Sequence, residues 1–380
     1  MRRVPRIFFA LFLCLPVLLP GQQASAPVSP ATQDQAAPSP APRDPVLVHR
    51  PPPKPQSAKS PEGRIKLDVV VSDAGGKAVA GLEPGDFKIL DNNQPRKILS
   101  FRTFDGVAVK PAPPVDVFLL IDTLNLPFQQ VAFVRHEIER FLKENGGHLA
   151  QPVSIILLND AGIRVQPRPS VDGNALVGIV GQIKGSISSI NPAMGAEGDL
   201  MRFQKSVHQL ASIAENEAKR PGRKLLVWVG PGWPILQGPN FIFSEKDQRG
   251  YFDTIVELST KLREARMAVY SVSPATSAMD SGTFRFAYRD FLKGVKTPRQ
   301  TDTGNLALKV LVTQSGGRIL DPSNDLAAQI DSCVADANAF YMLSFDPPHA
   351  EQADEYHNLN VQVDHPELTV RTNTGYYNQP

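Results

Sequence analysis

The order of apolar and polar residues divides this chain into segments with different hydrophobic patterns. From residue 115 to 338, short apolar runs alternate with longer amphipathic stretches. Most of the runs are apolar on both faces, which is typical of interior strands in a parallel sheet. The predicted strands cover about 115–122, 152–158, 224–229, 267–272 and 318–320, with a short antiparallel strand over 162–167.

The amphipathic stretches between these runs predict helices, because their apolar residues recur at three- and four-residue spacing. The predicted helices cover about 127–145, 173–184, 198–220, 251–265, 306–314 and 323–338. Residues 275–302 are an irregular insertion with one short helix near 284–292. Strands connected by helices favour an α/β fold with a doubly wound, mostly parallel sheet covered on both faces. We therefore assign residues 115–338 to one α/β domain.

The flanking segments, residues 63–110 and 339–380, have β texture instead. Strands are expected over 65–71, 87–90, 98–101, 340–345, 359–363 and 368–371. A turn at 91–93 is predicted to join the second and third of these strands as a hairpin. A few isolated strands are only marginally stable, so we predict one small discontinuous β domain made from both chain ends.

The first 26 residues have the pattern of an export signal. Arg2, Arg3 and Arg6 precede an apolar run, and Ala24-Ser25-Ala26 is a small-residue cleavage site. We favour cleavage after Ala26, and an uncleaved anchor is the alternative. The run is short for a membrane span and no second one follows. We therefore expect an exported protein, periplasmic or extracellular, without stable membrane insertion after cleavage.

Residues 27–62 contain eleven prolines among Ala, Gln and Ser. Such a segment has too little apolar surface to offset the entropy lost on ordering, so a disordered linker is predicted. Three of the 40 basic residues lie in the signal, so the remainder nearly balances the 38 acidic residues. This balance gives no electrostatic basis for binding nucleic acid.

Of the two cysteines, Cys333 alone lies beyond the signal, which excludes an intrachain disulfide after cleavage. Its place in a helical pattern predicts a small buried apolar residue, and a reactive thiol is the alternative.

Several short blocks together resemble a known family. They are Gly81-Leu82 with Asp86-Phe87, the runs 119–125 and 221–228, Ser315-Gly316-Gly317-Arg318 and Gly375-Tyr376-Tyr377. In this order they are similar to bacterial secreted VWFA-related proteins, whose α/β segment is a von Willebrand factor type A domain. The resemblance extends over the chain from Ile65 on. It implies a doubly wound sheet and protein or matrix binding at the top of the domain, but no known activity.

The family's metal-ion-dependent adhesion site can be compared with this chain position by position. Its lead aspartate matches Asp122, but its two hydroxyl residues fall on Leu124 and Leu126. The expected threonine is absent from 195–200, and the expected second aspartate is absent from 230–234. Because Mg²⁺ demands near-octahedral oxygen ligands, we predict a degenerate site with no metal and no cofactor. Asp122 would then serve to cap backbone N–H groups in its loop.

Two acids and three loop residues remain candidates for binding. Glu197 or Asp199 would supply substitute carboxylates in a metal-dependent adhesin, which is the first alternative. Without metal, we predict ligand binding at Asp122, Asn125 and Trp233, which should meet beyond the carboxyl ends of the strands. Trp233 is interpreted either as an exposed aromatic anchor or as a loop tryptophan packed under its neighbours.

The motifs of common catalytic sites are absent from the sequence: it has no Gly-x-Ser-x-Gly, His-Glu-x-x-His, phosphate loop or Cys-x-x-Cys. His349, His357 and His365 recur every eight residues and are weak candidates for a zinc site. We therefore predict a non-catalytic protein-binding or scaffolding protein whose partner is a protein ligand or an envelope component. The alternatives are a metal-dependent adhesin, an envelope assembly subunit that pairs an open β edge, and an exported hydrolase.

Overall fold

Strands and helices follow one another along the chain largely as the apolar pattern predicts. The computed structural model describes residues 48–49, 63–105, 115–183, 189–190, 192–237, 240–275 and 287–380. The strands are β1 (Val48–His49), β2 (Ile65–Ser72), β3 (Phe87–Asp91), β4 (Gln94–Arg96), β5 (Ser100–Phe104), β6 (Val115–Asp122), β7 (His148–Asn159), β8 (Gly162–Val165), β9 (Ser170–Asp172), β10 (Arg223–Val229), β11 (Met267–Val272), β12 (Phe340–Phe345), β13 (Glu355–Val363), β14 (Thr369–Arg371) and β15 (Gly375–Asn378). The helices are α1 (Phe128–Lys143), α2 (Gly173–Gly181), α3 (Gly195–Ala218), α4 (Glu245–Glu264), α5 (Leu308–Gln314) and α6 (Leu326–Val334).

The central sheet has the strand order β1-β8-β7-β6-β10-β11, with β9 paired to β7. The four strands β7, β6, β10 and β11 are parallel, and β8 returns antiparallel beside β7. Counted along the α/β segment, β6, β7, β8, β10 and β11 stand in the order 3-2-1-4-5, which is typical of doubly wound sheets. The predicted α/β fold with a mostly parallel sheet is confirmed.

Each face of this sheet is covered by three helices. Alternate residues of β6 point to opposite faces: Val117, Leu119 and Ile121 pack with α1, α2 and α6. Phe118 and Leu120 pack instead with α3, α4 and α5. Both faces of the strand are therefore buried, which explains why its sequence is apolar without alternation.

Strands from both chain ends pair with each other in two further sheets, of order β14-β2-β12-β5 and β15-β13-β3-β4. The two sheets share one apolar core, in which Phe87 of one sheet lies 5.0 Å from Tyr341 of the other, measured between ring centroids. We call this pair of sheets the sandwich. The prediction that it forms a domain of its own is not confirmed, because residues 44–380 form one compact unit.

The predicted hairpin at 91–93 has a different second strand. The turn residues Asn92 and Asn93 have φ of 49° and 65°, so they form a two-residue loop and Asp91 pairs directly with Gln94. The partner of β3 is therefore β4. The strand predicted over 98–101 lies at 100–104 as β5 and pairs with β12 in the other sheet.

Other departures from the sequence predictions are local. Two residues of the predicted linker form β1, which pairs antiparallel with β8 at the sheet edge. The strand expected at 318–320 is an isolated bridge between Ile319 and Ser271. The helix expected near 284–292 is a 3-10 turn at 288–291, and its first residues lie outside the described part. The predicted signal and the rest of the linker also lie outside it. None of the described helices is long and apolar enough to cross a membrane.

Candidate functional site

Asp122 ends β6 at the carboxyl edge of the sheet, where the family's metal ligand would stand. Its side chain is fully buried. One carboxylate oxygen accepts hydrogen bonds from the backbone N–H and the side-chain amide of Asn125, both at 3.0 Å. The other accepts from the indole N–H of Trp228 at 2.9 Å. Asp122 therefore fixes its own loop through neutral N–H donors, and it forms no ion pair with any described residue.

Asn125 connects this loop to helix α3 on one face of the sheet. Its amide donates to both oxygens of Asp122 and, at 3.1 Å, to the hydroxyl of Ser206. Ser206 is buried in α3. The contact therefore ties the end of β6 to a neighbouring helix, and Asn125 itself is half-buried. Neither Trp228 nor Ser206 is a predicted site residue. Each lies in an apolar sequence pattern, which does not indicate where its polar atom points.

Leu124 and Leu126 occupy the two positions where the family has hydroxyl groups. Both are buried, at 4% and 6% exposure. Leu124 packs into the core on the α3 face, and Leu126 packs into the core on the α1 face. The leucines therefore anchor the loop on both sides of the sheet, and they direct no oxygen toward Asp122.

Gly230 follows β10 and passes directly over Asp122. Its φ of 152° lies in a region that side chains with a Cβ rarely adopt. A Cβ built on Gly230 would lie 2.8 Å from the Cβ of Asp122, closer than such atoms approach in proteins. The glycine lets the two strand ends meet, at the point where the family places its second aspartate.

The interpretation of Trp233 as an exposed anchor is wrong, because its side chain is only 2% exposed. Its indole N–H donates to the backbone carbonyl of Leu306 at 3.0 Å, and its ring meets Trp228 edge to face at 5.1 Å between centroids. The alternative, a loop tryptophan packed under its neighbours, is what the structure shows. The structure thus brings Asp122, Asn125 and Trp233 to one edge of the sheet but buries two of them.

The acids proposed as substitute metal ligands lie in the first turns of α3. Glu197 is exposed, and Asp199 forms an ion pair with Arg202 of the same helix. No contact joins either carboxylate to Asp122 in the described residues. Nor does any group of three or more His, Cys, Asp or Glu side chains in that part of the chain converge as a metal site would require.

The contribution of Asp122 to the free energy of unfolding increases as the pH falls. Burial raises the pKa of Asp122 to about 6 from an ordinary value of 3.8, and the hydrogen bonds from Asn125 and Trp228 oppose that rise. The folded state thus binds this proton more tightly than the unfolded chain. The stabilisation that results is fully present below the pKa that Asp122 has in the unfolded chain, and it is lost as pH rises through about 6.

The variant Asp122→Asn removes the titrating group. We expect the difference in free energy of unfolding, wild type minus variant, to increase by about 2–3 kcal/mol as the pH falls from about 7 to about 4. Urea denaturation across this range measures the difference, in which the other titrating groups largely cancel. A difference that stays constant or falls toward acid pH would contradict the assignment of a raised pKa to Asp122.

Two of the remaining candidates, Cys333 and His357, are buried side chains with structural contacts. Cys333 is fully buried, and burial raises the pKa of its thiol to about 12, which fits the predicted buried apolar residue and not a reactive thiol. The ring of His357 lies 2.7 Å from Asp91 and stacks on Tyr376, which also donates to Asp91. This cluster lies in the sandwich with His357 only 3% exposed. Its place in the sandwich core supports a structural role.

No family model matches the chain, and no curated protein matches it. Similar solved structures include an aerotolerance-related membrane protein from Bacteroides fragilis, at 12% identity and a TM-score of 0.32, over 59% of this chain and 98% of that one. The SpRpn10 VWA domain is similar at 10% identity and a TM-score of 0.27, over 57% of this chain and 93% of that one.

The pilus adhesin SpaC from Lactobacillus rhamnosus GG is similar at 9% identity and a TM-score of 0.35, over 79% of this chain and 48% of that one. The chain thus spans about half the length of this adhesin. The neighbours include a VWA domain, the type of domain that the sequence resembles. At these TM-scores the likeness carries no argument about function.

Proposed function

We propose that this chain is an exported, non-catalytic VWA-type protein that binds a protein partner without a metal ion. The main supporting observation is the environment of Asp122. Its carboxylate accepts hydrogen bonds from neutral donors, and buried leucines stand where the family has hydroxyl ligands for a metal ion. Export is supported by the signal pattern of residues 1–26. The proposal includes a small β domain made from both chain ends, supported by the apolar core that its two sheets share.

Metal independence is supported by the way the carboxylate of Asp122 is used. A buried carboxylate must be compensated by a cation or by hydrogen bonds. Here Asn125 and Trp228 donate to the two oxygens, so neutral hydrogen bonds supply part of this compensation without a cation. A cation would have to displace these donors and would still lack the hydroxyl ligands that Leu124 and Leu126 do not provide.

Two exposed apolar side chains mark the surface that we propose for binding. Phe128 begins α1, directly after the Asp122 loop, and is 54% exposed. Ile242 lies in the loop that leads from β10 to α4 and is 90% exposed. Since β6 and β10 are neighbouring parallel strands, both loops leave the same edge of the sheet. Binding sites of open α/β sheets lie at this edge.

The loop around Ile242 is built to hold that side chain outward. Phe241 and Phe243 on either side are half-buried against the core, and their rings stack with centroids 6.4 Å apart. Phe243 also meets Tyr251 of α4 edge to face at 5.1 Å. The flanking aromatics therefore fix the loop, and Ile242 between them presents apolar area that water solvates poorly. Apolar and aromatic contacts of this kind form the energetic centres of protein interfaces.

We expect the double variant Phe128→Ser, Ile242→Ser to lose a protein partner that the wild type retains, with a roughly 10-fold or greater loss of affinity. The measurement is affinity capture with the full chain from the exported fraction, followed by titration of the captured protein. Fold stability should change little, because both side chains are exposed.

The matched control is Leu99→Ser, Val171→Ser. These are large apolar residues that are also exposed, though less so, at 39% and 46%, and they lie in the sandwich and in β9. Equal loss in both double variants, or retention in both, would show that binding does not use the carboxyl edge of the sheet. Loss in the control alone would move the binding surface to those positions and favour the envelope-subunit alternative.

A further inference from the structure

The outer edge of β8 carries backbone groups that β7 does not use. Gln166, directly after β8, donates its backbone N–H to the carbonyl of Ile155 in β7 at 2.9 Å. In an antiparallel pair of strands, the backbone groups of successive residues point to opposite sides. The N–H and C=O groups of Ile163 and Val165 therefore point away from β7. An edge of this kind can pair with a further extended strand.

The opposite edge of the central sheet is closed by a neighbouring part of the α/β segment. Beyond β11, the backbone N–H of Ser271 donates to the carbonyl of Arg318 at 3.0 Å, and the N–H of Leu320 donates to the carbonyl of Ser271, also at 3.0 Å. At β8, by contrast, the outer strand among the described residues is β1, which lies far earlier in the sequence. The pairing of this edge therefore depends on residues of the linker.

The register of β1 determines which of its backbone groups face β8. Val48 and His49 pair antiparallel with Val165 and Arg164, respectively. Because the backbone groups of Val165 point outward, the N–H and C=O groups of the opposite residue, Val48, face β8. The N–H of His49 faces away, since successive residues alternate. Hydrogen bonding to β8 thus uses the N–H of Val48 and not that of His49.

The sequence around β1 differs from the rest of the linker. Val46-Leu47-Val48 is the only run of three large apolar residues in 27–62, and Pro45 and Pro51 enclose it. Valine is favoured in strands, whereas proline cannot donate to a ladder, so the two prolines limit the length of a strand here. A segment that served only as a spacer would not need an apolar run. This composition is typical of a short extended ligand that joins a sheet edge.

We propose that the outer edge of β8 is an acceptor site for a short extended apolar strand, and that Val48 and His49 belong to a ligand that the chain itself carries for this site. So short a strand binds poorly from solution, because each main-chain hydrogen bond contributes little. Residues 50–64 connect this ligand to β2, which raises its effective concentration at β8. The site is therefore filled in cis, and it accepts a competing strand of the same chemistry when the cis strand is released.

Two proline substitutions in the full chain test the pairing in cis. Val48→Pro removes the N–H that faces β8, whereas His49→Pro removes an N–H that faces away and is the matched control. The measurement is hydrogen exchange of the Val165 amide, with the Arg164 amide, which faces β7, as internal reference. We expect Val48→Pro to speed exchange at Val165 by roughly 10-fold or more, and His49→Pro to change it little. Equal exchange at Val165 in the two variants would overturn the proposal.

A peptide with the sequence of residues 44–50 and blocked ends tests the acceptor site from solution. In calorimetric titration we expect it to bind the full-chain variant Val48→Pro at least about fivefold more tightly than the wild type, in which the cis strand competes. N-methylation of the peptide at Val48 should weaken this binding by about fivefold or more, whereas N-methylation at His49 should not. No binding to Val48→Pro, equal affinity for the variant and the wild type, or equal affinity of the two methylated peptides would each overturn the proposal.

Sedimentation distinguishes filling of the site in cis from exchange of strands between two copies. We expect the wild type and Val48→Pro to have the same mass in solution, because the strand pairs within one chain. A wild-type dimer that Val48→Pro dissociates would place the strand on β8 of a second copy and would overturn the assignment in cis.

Discussion

We expect Asp336→Ala to lower the free energy of unfolding by about 3–5 kcal/mol, because it removes the acceptor at the centre of a buried network. Arg371 of β14 donates to its two carboxylate oxygens at 2.7 and 2.9 Å. The hydroxyl of Tyr270 in β11 donates at 2.9 Å. Asp336 is 2% exposed, so the variant leaves the Arg371 guanidinium mostly buried without its counter-charge. Urea denaturation of the full chain measures the loss.

The control for this prediction is Asp346→Ala, which removes a carboxylate from an exposed pair. Asp346 accepts from Arg64 at 2.9 Å, but the two side chains are 61% and 52% exposed. Such a pair contributes at most about 1 kcal/mol, because water solvates both charges when it is broken. If Asp336→Ala costs no more than Asp346→Ala, the network does not hold the sandwich to the α/β part.

This network also shows what the sequence could not predict. Asp336, Arg371 and Tyr270 lie in three separate elements, and nothing in their local patterns indicates that they meet. The period of apolar residues reports which face of an element is buried, and it predicts the six α-helices of the described residues and most of their strands. It does not report which polar groups face each other across the fold, since that depends on how distant elements pack.

The turn at Asn92-Asn93 shows a second limit. Its residues predict a turn, and the structure has one. The predicted loop is too long, because two asparagines at positive φ are enough to reverse the chain. The apolar run at 98–101 looked like the returning strand, although the strand had already returned at Gln94. Turn chemistry therefore sets the register more tightly than the apolar pattern does.

The sequence shows which of the family's metal ligands are missing from the candidate site, but it does not show which contacts replace them. The two leucines and the absence of the threonine and the second aspartate are visible in the sequence. That Trp228 donates to Asp122 is not, since a tryptophan inside an apolar strand gives no sign of where its N–H points. Trp233 shows the same limit, because glycines and prolines around a tryptophan fit an exposed loop and a packed one equally well.

Restoring the hydroxyl groups of the family motif is therefore expected to damage the fold without restoring metal binding. We expect Leu124→Ser and Leu126→Ser each to lower the free energy of unfolding by about 3–5 kcal/mol, since each removes a buried leucine and buries a hydroxyl. The two side chains lie in different cores, so their effects should be nearly additive. Urea denaturation gives these values, and the exposed Leu99→Ser is the control.

Calorimetric titration with Mg²⁺, Mn²⁺ and Ca²⁺ completes the test. We expect no binding to the wild type or to the serine variants, because Asp122 keeps its donors from Asn125 and Trp228 and the other two loops still lack ligands. If the double variant does not fold, each single variant carries the same test. A micromolar metal constant in the wild type that Asp122→Ala abolishes would refute metal independence, and loss of that constant in Glu197→Gln or Asp199→Asn would identify the substitute ligand. Metal binding that appears only in the serine variants would show instead that the donors of Asp122 yield to a cation, and that the leucines alone keep the metal out.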